Sequence, residues 1–151
     1  MKKASSDRIL LLDVNVLVAL AWPHHQFHGT ATRRLARRRQ KWATCAVTQL
    51  GFIRVSSNRN VVGVTVRPRD AALLLAKMVA DPMHCYFGRL PHPLAAESVA
   101  SYSRLVGHQQ VSDAYLLSVA RANQAVLLTF DTRLAAITAS DDPIEILSED
   151  K

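Results

Sequence analysis

At 151 residues the chain is long enough for one ordinary core and too short for two independently packed ones. A composition 49% hydrophobic and 21% charged excludes a mostly disordered chain. With 19 Lys and Arg against 12 Asp and Glu, the net charge is +7, which favours a polyanionic partner such as RNA, DNA or an acidic protein segment without choosing among them.

Ile9 to Leu12 is a continuous apolar run closed by Asp13, the pattern of a short strand buried on both faces of a parallel sheet, and it is read as the first, central strand. From Gln26 to Lys41, Phe27, Ala31, Leu35 and Ala36 recur near helical spacing and predict a helix. Trp42 to Val47 reads as a strand, Thr48 to Val55 as a short helix, and Ser56 to Pro68 as a loop. Arg69 to Ala80 is a helix on the repeat of Ala72, Leu75, Ala76 and Val79. A short third strand is expected at His84 to Phe87, and Pro91 and Pro93 then force a loop. Leu94 to Val106 and Ser112 to Asn123 form two helices separated by Gly107. Ala125 to Phe130 is a buried strand followed by Asp131, Thr132 to Thr138 a last helix, and Ile144 to Leu147 a last strand. Strands alternating with helices imply a single α/β/α sandwich on a mainly parallel sheet, spanning 1–151.

Lys2 and Lys3 imitate the start of a signal peptide, but Asp7 and Arg8 follow, and the apolar stretch to Trp22 is cut by Asp13 and Asn15. It is also shorter than the roughly 20 residues that span a bilayer. Cys45 and Cys85 make neither a disulfide framework nor a zinc pattern, so the expected compartment is the cytoplasm.

Asp13 and Asp131 each follow an apolar strand, and ligands of open parallel sheets gather beyond the strands' carboxyl ends. Asp113 opens a helix on the same face as Leu116, Leu117 and Ala120, either as a structural cap or aimed into a site at the sheet edge. Converging aspartates raise one another's pKa unless a cation joins them. Mg²⁺ or Mn²⁺ suits such oxygen ligands, and a water it holds can attack a phosphodiester.

The stretches LLDVNVLVAL from Leu11, WATCAVTQLGFIRVSSN from Trp42, VGHQQVSDAYLLSVA from Val106 and LLTFDTRL from Leu127 resemble PIN-domain ribonucleases, specifically VapC-type toxins of bacterial toxin–antitoxin systems. The resemblance runs from about Ile9 to Leu134. It implies that Asp13, Asp113 and Asp131 are the metal-binding and catalytic acids; Asn15, Gln49 and Thr129, in the same segments, are candidate supporting residues. It also implies an endoribonuclease, a small antitoxin whose tail crosses the site, and a homodimer. Many relatives carry Glu where this chain has Gln49, and Gln can neither act as a base nor offset metal charge. That departure motivates the alternative of a non-catalytic RNA- or protein-binding module.

Arg33, Arg34, Arg37, Arg38 and Lys41 are spaced to line one side of a helix, a solvated face or a contact for RNA phosphate or an acidic antitoxin tail. Arg54, in the GFIRV segment, is placed to touch a phosphate or to pair with a strand-end acid. His24, His25 and His28 lack an HExxH pattern and sit at a helix entry after Pro23, which favours a structural role over a metal site. Trp22, Trp42 and Phe52 are expected in the core. A receiver or haloacid-dehalogenase-type phosphatase would need acids that this sequence lacks, including one at Asn15.

Overall fold

The computed structural model describes residues 7–37 and 39–149, apart from the Gln109 side chain. Arg38, a member of the predicted basic row, lies outside the described residues. Among the described residues there are five strands, β1 (Leu10–Leu12), β2 (Trp42–Cys45), β3 (His84–Phe87), β4 (Val126–Thr129) and β5 (Ile144–Ile146), in the order β3-β2-β1-β4-β5. Every neighbouring pair is parallel, with Leu10, Leu11 and Leu12 of β1 opposite Val126, Leu127 and Leu128 of β4. The predicted sandwich is therefore present, with a sheet parallel throughout.

Side chains alternate across a strand, so these apolar runs feed two cores. Leu10, Leu12, Val126 and Leu128 pack on one face with Val16, Leu17, Phe52 and Leu75. Leu11, Ala43 and Leu127 pack on the other with Leu116, Leu117 and Ala120. Full burial of each such leucine stabilises the fold by about 1.5–3 kcal/mol.

The helices are α1 (Val14–Ala21), α2 (His28–Arg37), α3 (Ala46–Ser56), α4 (Arg59–Val62), α5 (Pro68–Val79), α6 (Ala96–Tyr102) and α7 (Val111–Ala122). Helix α1 has no counterpart in the sequence reading. Its residues Val16 to Ala19 are all buried, so it carries no amphipathic stripe for a periodicity argument to find. Helix α4 falls in the segment read as a loop. Asn58 caps it by accepting from the Asn60 N–H at 3.0 Å, and Gly63 ends it in the left-handed region at φ 78°. The predicted last helix is a 3₁₀ segment, Thr132–Ala136. Among the described residues no helix is long and apolar enough to cross a membrane.

Sheet order fixes where a site can form. From β1 the chain steps to β2 and β3 on one side, then crosses to β4 and β5 on the other, so the order reverses between β1 and β4. The crevice beyond their carboxyl ends is where an open parallel sheet offers a binding site.

Candidate active site

Asp13 stands directly beyond β1 and begins α1. Its Oδ1 accepts from the Val14 N–H at 2.7 Å and its Oδ2 from the Thr129 hydroxyl at 2.6 Å, in a position only 4% exposed. The fully buried Thr129 hydroxyl accepts in turn from Asn15 Nδ2 at 3.2 Å and from the Asp131 N–H at 3.1 Å. Asn15 Oδ1 accepts from the Phe130 N–H at 3.2 Å. This network stitches the start of α1 to the end of β4 and fixes one orientation for Asp13. An aspartate at position 15 could not supply the Nδ2 donor.

Asp131 begins the 3₁₀ segment after β4. Its Oδ1 accepts from the Arg133 N–H at 2.9 Å and from Arg133 Nε at 3.0 Å, and its Oδ2 from Arg133 Nη2 at 2.9 Å. Asp113, in the first turn of α7, is half-buried and accepts no hydrogen bond from any described residue.

These settings separate the three acids electrostatically. Burial pushes Asp13 above the ordinary carboxylate range, opposed by its hydrogen bonds from Thr129 and Val14. Burial, with the charges of Asp13 and Asp131, lifts Asp113 to about 7. The Arg133 guanidinium holds Asp131 below the ordinary value. Two of the three acids are thus costly to ionise unless a further cation arrives.

All three acids line one cavity of about 660 Å³. One wall is α3, where Val47, Leu50, Gly51 and Arg54 recur at 0, 3, 4 and 7 and so share a helix face. Gly51 is required there, because a Cβ would lie 2.5 Å from Val14 Cγ2. Arg54, Arg133 and His25 bring cationic or proton-carrying groups to the same space.

Several sequence expectations need correction. Gln49 falls off the α3 stripe and does not line the cavity; its Nε2 donates to Thr44 Oγ1 at 3.0 Å, and Thr44 is paired with His84 Nε2 at 2.8 Å. Arg34 is turned inward rather than toward a polyanion. Its Nε meets Glu145 Oε1 at 2.5 Å and its Nη2 meets Oε2 at 2.9 Å, tying α2 to β5 with its side chain only 13% exposed. Helix α2 is described as far as Arg37 and residues 39–41 are not helical, so Lys41 does not continue the row, although both Arg37 and Lys41 are exposed. His24 Nε2 pairs with the Val62 carbonyl at 2.9 Å and His28 Nδ1 with the Ala19 carbonyl at 2.8 Å, both structural contacts. Phe52 and Trp42 are buried as expected, while Trp22 is partly covered and bonds Ser56.

His25 and Arg133 also line the cavity, although neither was expected there from the sequence. Arg133 carried a signal, since it lies two residues beyond Asp131 in the LLTFDTRL segment. Among the described residues no three acid, histidine or cysteine side chains close around one point as a finished metal site. The donors nevertheless suit a hard divalent ion, being carboxylate oxygens around one cavity, with Asp113 bearing no hydrogen bond and destabilised by its neighbours.

Fold and cavity define a parallel α/β/α domain with an acidic crevice at the switch between β1 and β4. The chain belongs to the PIN domain family, which it matches over residues 10–139. Within that family it is 37% identical to ribonuclease VapC39 of Mycobacterium tuberculosis, over 91% of this chain and 98% of that protein. It is 35% identical to ribonuclease VapC38 of the same organism, over 91% and 97% of the two chains. The crystal structure of VapBC2 from Rickettsia felis bound to a DNA fragment from its promoter shares the fold, with a TM-score of 0.56, 16% identity and coverage of 93% of this chain and 99% of that one.

Proposed function

We propose that the protein is a metal-dependent endoribonuclease and the toxin of a toxin–antitoxin pair, acting as one domain in the cytoplasm. The observation that carries this reading is the meeting of Asp13, Asp113 and Asp131 in one cavity, two of them with raised proton affinity. The three aspartates would hold Mg²⁺ or Mn²⁺, which supplies a water of lowered pKa and offsets charge on the phosphodiester. Thr129 and Asn15 keep Asp13 aimed from behind. Arg54 offers a cation to RNA phosphate from the α3 wall, whereas Lys41, just before β2, and Arg37 belong to the amino edge of the sheet and do not line the cavity.

The names of the VapC relatives support RNA as substrate. The VapBC2 neighbour shares the fold alone; a small antitoxin and a homodimer are the partners expected of a VapC-type toxin. The alternative of a binding module without chemistry rests on Gln49, and that side chain is engaged with Thr44 outside the cavity, which favours the nuclease. Purified protein is expected to cleave RNA with Mg²⁺ or Mn²⁺, to stop on chelation, and to lose activity in Asp13→Asn. Metal-independent cleavage, or full activity in Asp13→Asn, would overturn the reading. Light scattering tests the dimer, which predicts twice the chain mass.

A further inference from the structure

Asp131 differs from its two fellow acids in having both carboxylate oxygens occupied by one side chain, through the fork of Arg133 Nε on Oδ1 and Nη2 on Oδ2, with the Arg133 backbone N–H as a third donor. Such bidentate pairs are directional and well matched in shape. The guanidinium lines the same cavity as the three acids and is 60% exposed, so it can swing away without unpacking the core. The Asp131 carboxylate is only 11% exposed and stays where β4 and its own N–H bond to Thr129 place it. The acids do not close into a finished ligand set, and the one already carrying a cation is Asp131.

We propose that Arg133 is an exchangeable cation of the site: it holds Asp131 while metal is absent, competes with the divalent ion for that carboxylate, and releases it when the ion binds. This rests on the metal site proposed above. Three consequences follow from charge and geometry. Metal-free protein keeps Asp131 neutralised, so crowding among the acids is relieved without a metal. Metal affinity is set lower than the three carboxylates alone would give. The displaced guanidinium, still tethered two residues from Asp131, remains at the cavity mouth as a positive group. Arg133 is in this sense a positioning residue for Asp131.

The test is Mg²⁺ binding to the intact protein without RNA, by calorimetry, for wild type, Arg133→Gln, Arg133→Lys and Asp13→Asn. An exposed ion pair is a weak competitor, so Arg133→Gln is expected to bind Mg²⁺ about two- to fivefold more tightly, with Arg133→Lys in between. A merely structural arginine predicts the opposite, since its loss would loosen the site and weaken binding. In wild type, the Arg133 Nε–H resonance should shift during the Mg²⁺ titration with the calorimetric midpoint, a readout independent of whether the variants fold. Equal or weaker Mg²⁺ binding by Arg133→Gln, or an Nε–H resonance that does not move while Mg²⁺ binds, overturns the exchange. If Asp13→Asn abolishes binding and Arg133→Gln matches wild type, the metal site stands and only the exchange falls. If Asp13→Asn binds Mg²⁺ as wild type does, or no form binds, the metal reading itself fails and takes the exchange with it.

Discussion

Replacing Asp113 by asparagine keeps the side chain's shape and removes a charge that the site tolerates poorly. The carboxyl is raised from 3.8 to about 7, first by burial and then by Asp13 and Asp131. At about 1.4 kcal/mol per pH unit this bounds the cost of ionising it in the fold at about 4 kcal/mol. Because the group is only half-buried, water screens the repulsion, and about 1–2 kcal/mol is the expected share. The sign follows from proton linkage. Between pH 3.8 and about 7 the folded state binds more protons than the unfolded state, so stability falls as pH rises through that window and levels off above it. Metal-free Asp113→Asn should therefore match wild type below about pH 4 and exceed it above pH 7, by about 2–8 °C in melting temperature for a chain of this size. Saturating Mg²⁺ should shrink or reverse that difference, since it stabilises the protein that holds the better ligand set. Chelator-treated samples scanned by calorimetry at pH 4, 6 and 8 decide the matter. An Asp113→Asn protein no more stable than wild type at pH 8 would refute the crowded-acid reasoning.

Other perturbations separate the roles of neighbouring residues. Thr129→Val removes the donor to Asp13 and orphans Asn15 Nδ2, and should cost about 1–3 kcal/mol in denaturant unfolding while lowering cleavage more than RNA binding. Gln49→Glu should leave the Mg²⁺ titration unchanged, because position 49 faces Thr44; a tighter titration would show the side chain reaching the acids. Arg34→Ala should destabilise by about 1 kcal/mol through Glu145 yet keep the salt dependence of RNA binding, whereas Arg54→Ala should flatten that dependence in filter-binding assays. Gly51→Ala drives a Cβ onto Val14 and should cost about 1–3 kcal/mol by thermal unfolding.

What the sequence made legible depended on which physical signal each element carried. Continuous apolar runs ending in acids, as at Leu10–Leu12 and Val126–Thr129, announced strands buried on both faces, and hence the sheet edge where Asp13 and Asp131 lie. Helix α1 stayed hidden because its sequence is apolar almost throughout and four successive residues are buried, which leaves no one-sided stripe. The position of Asp113 left a cap and a site equally open, and only packing of α7 against the sheet brings it to the cavity. Arg34 reads identically to its basic neighbours in one dimension; Glu145, 111 residues away, turns it inward. Arg133 lies two residues beyond Asp131 in the sequence, but that spacing alone does not tell that its guanidinium reaches both carboxylate oxygens and the cavity.

The most direct measurement sequences RNA 5′ ends after induced expression of the wild-type protein and of Asp13→Ala. The expected result is a set of discrete new ends in wild type that vanishes in Asp13→Ala. Identical ends in both, or none in either while the protein is folded and present, would contradict an endoribonuclease built on these aspartates.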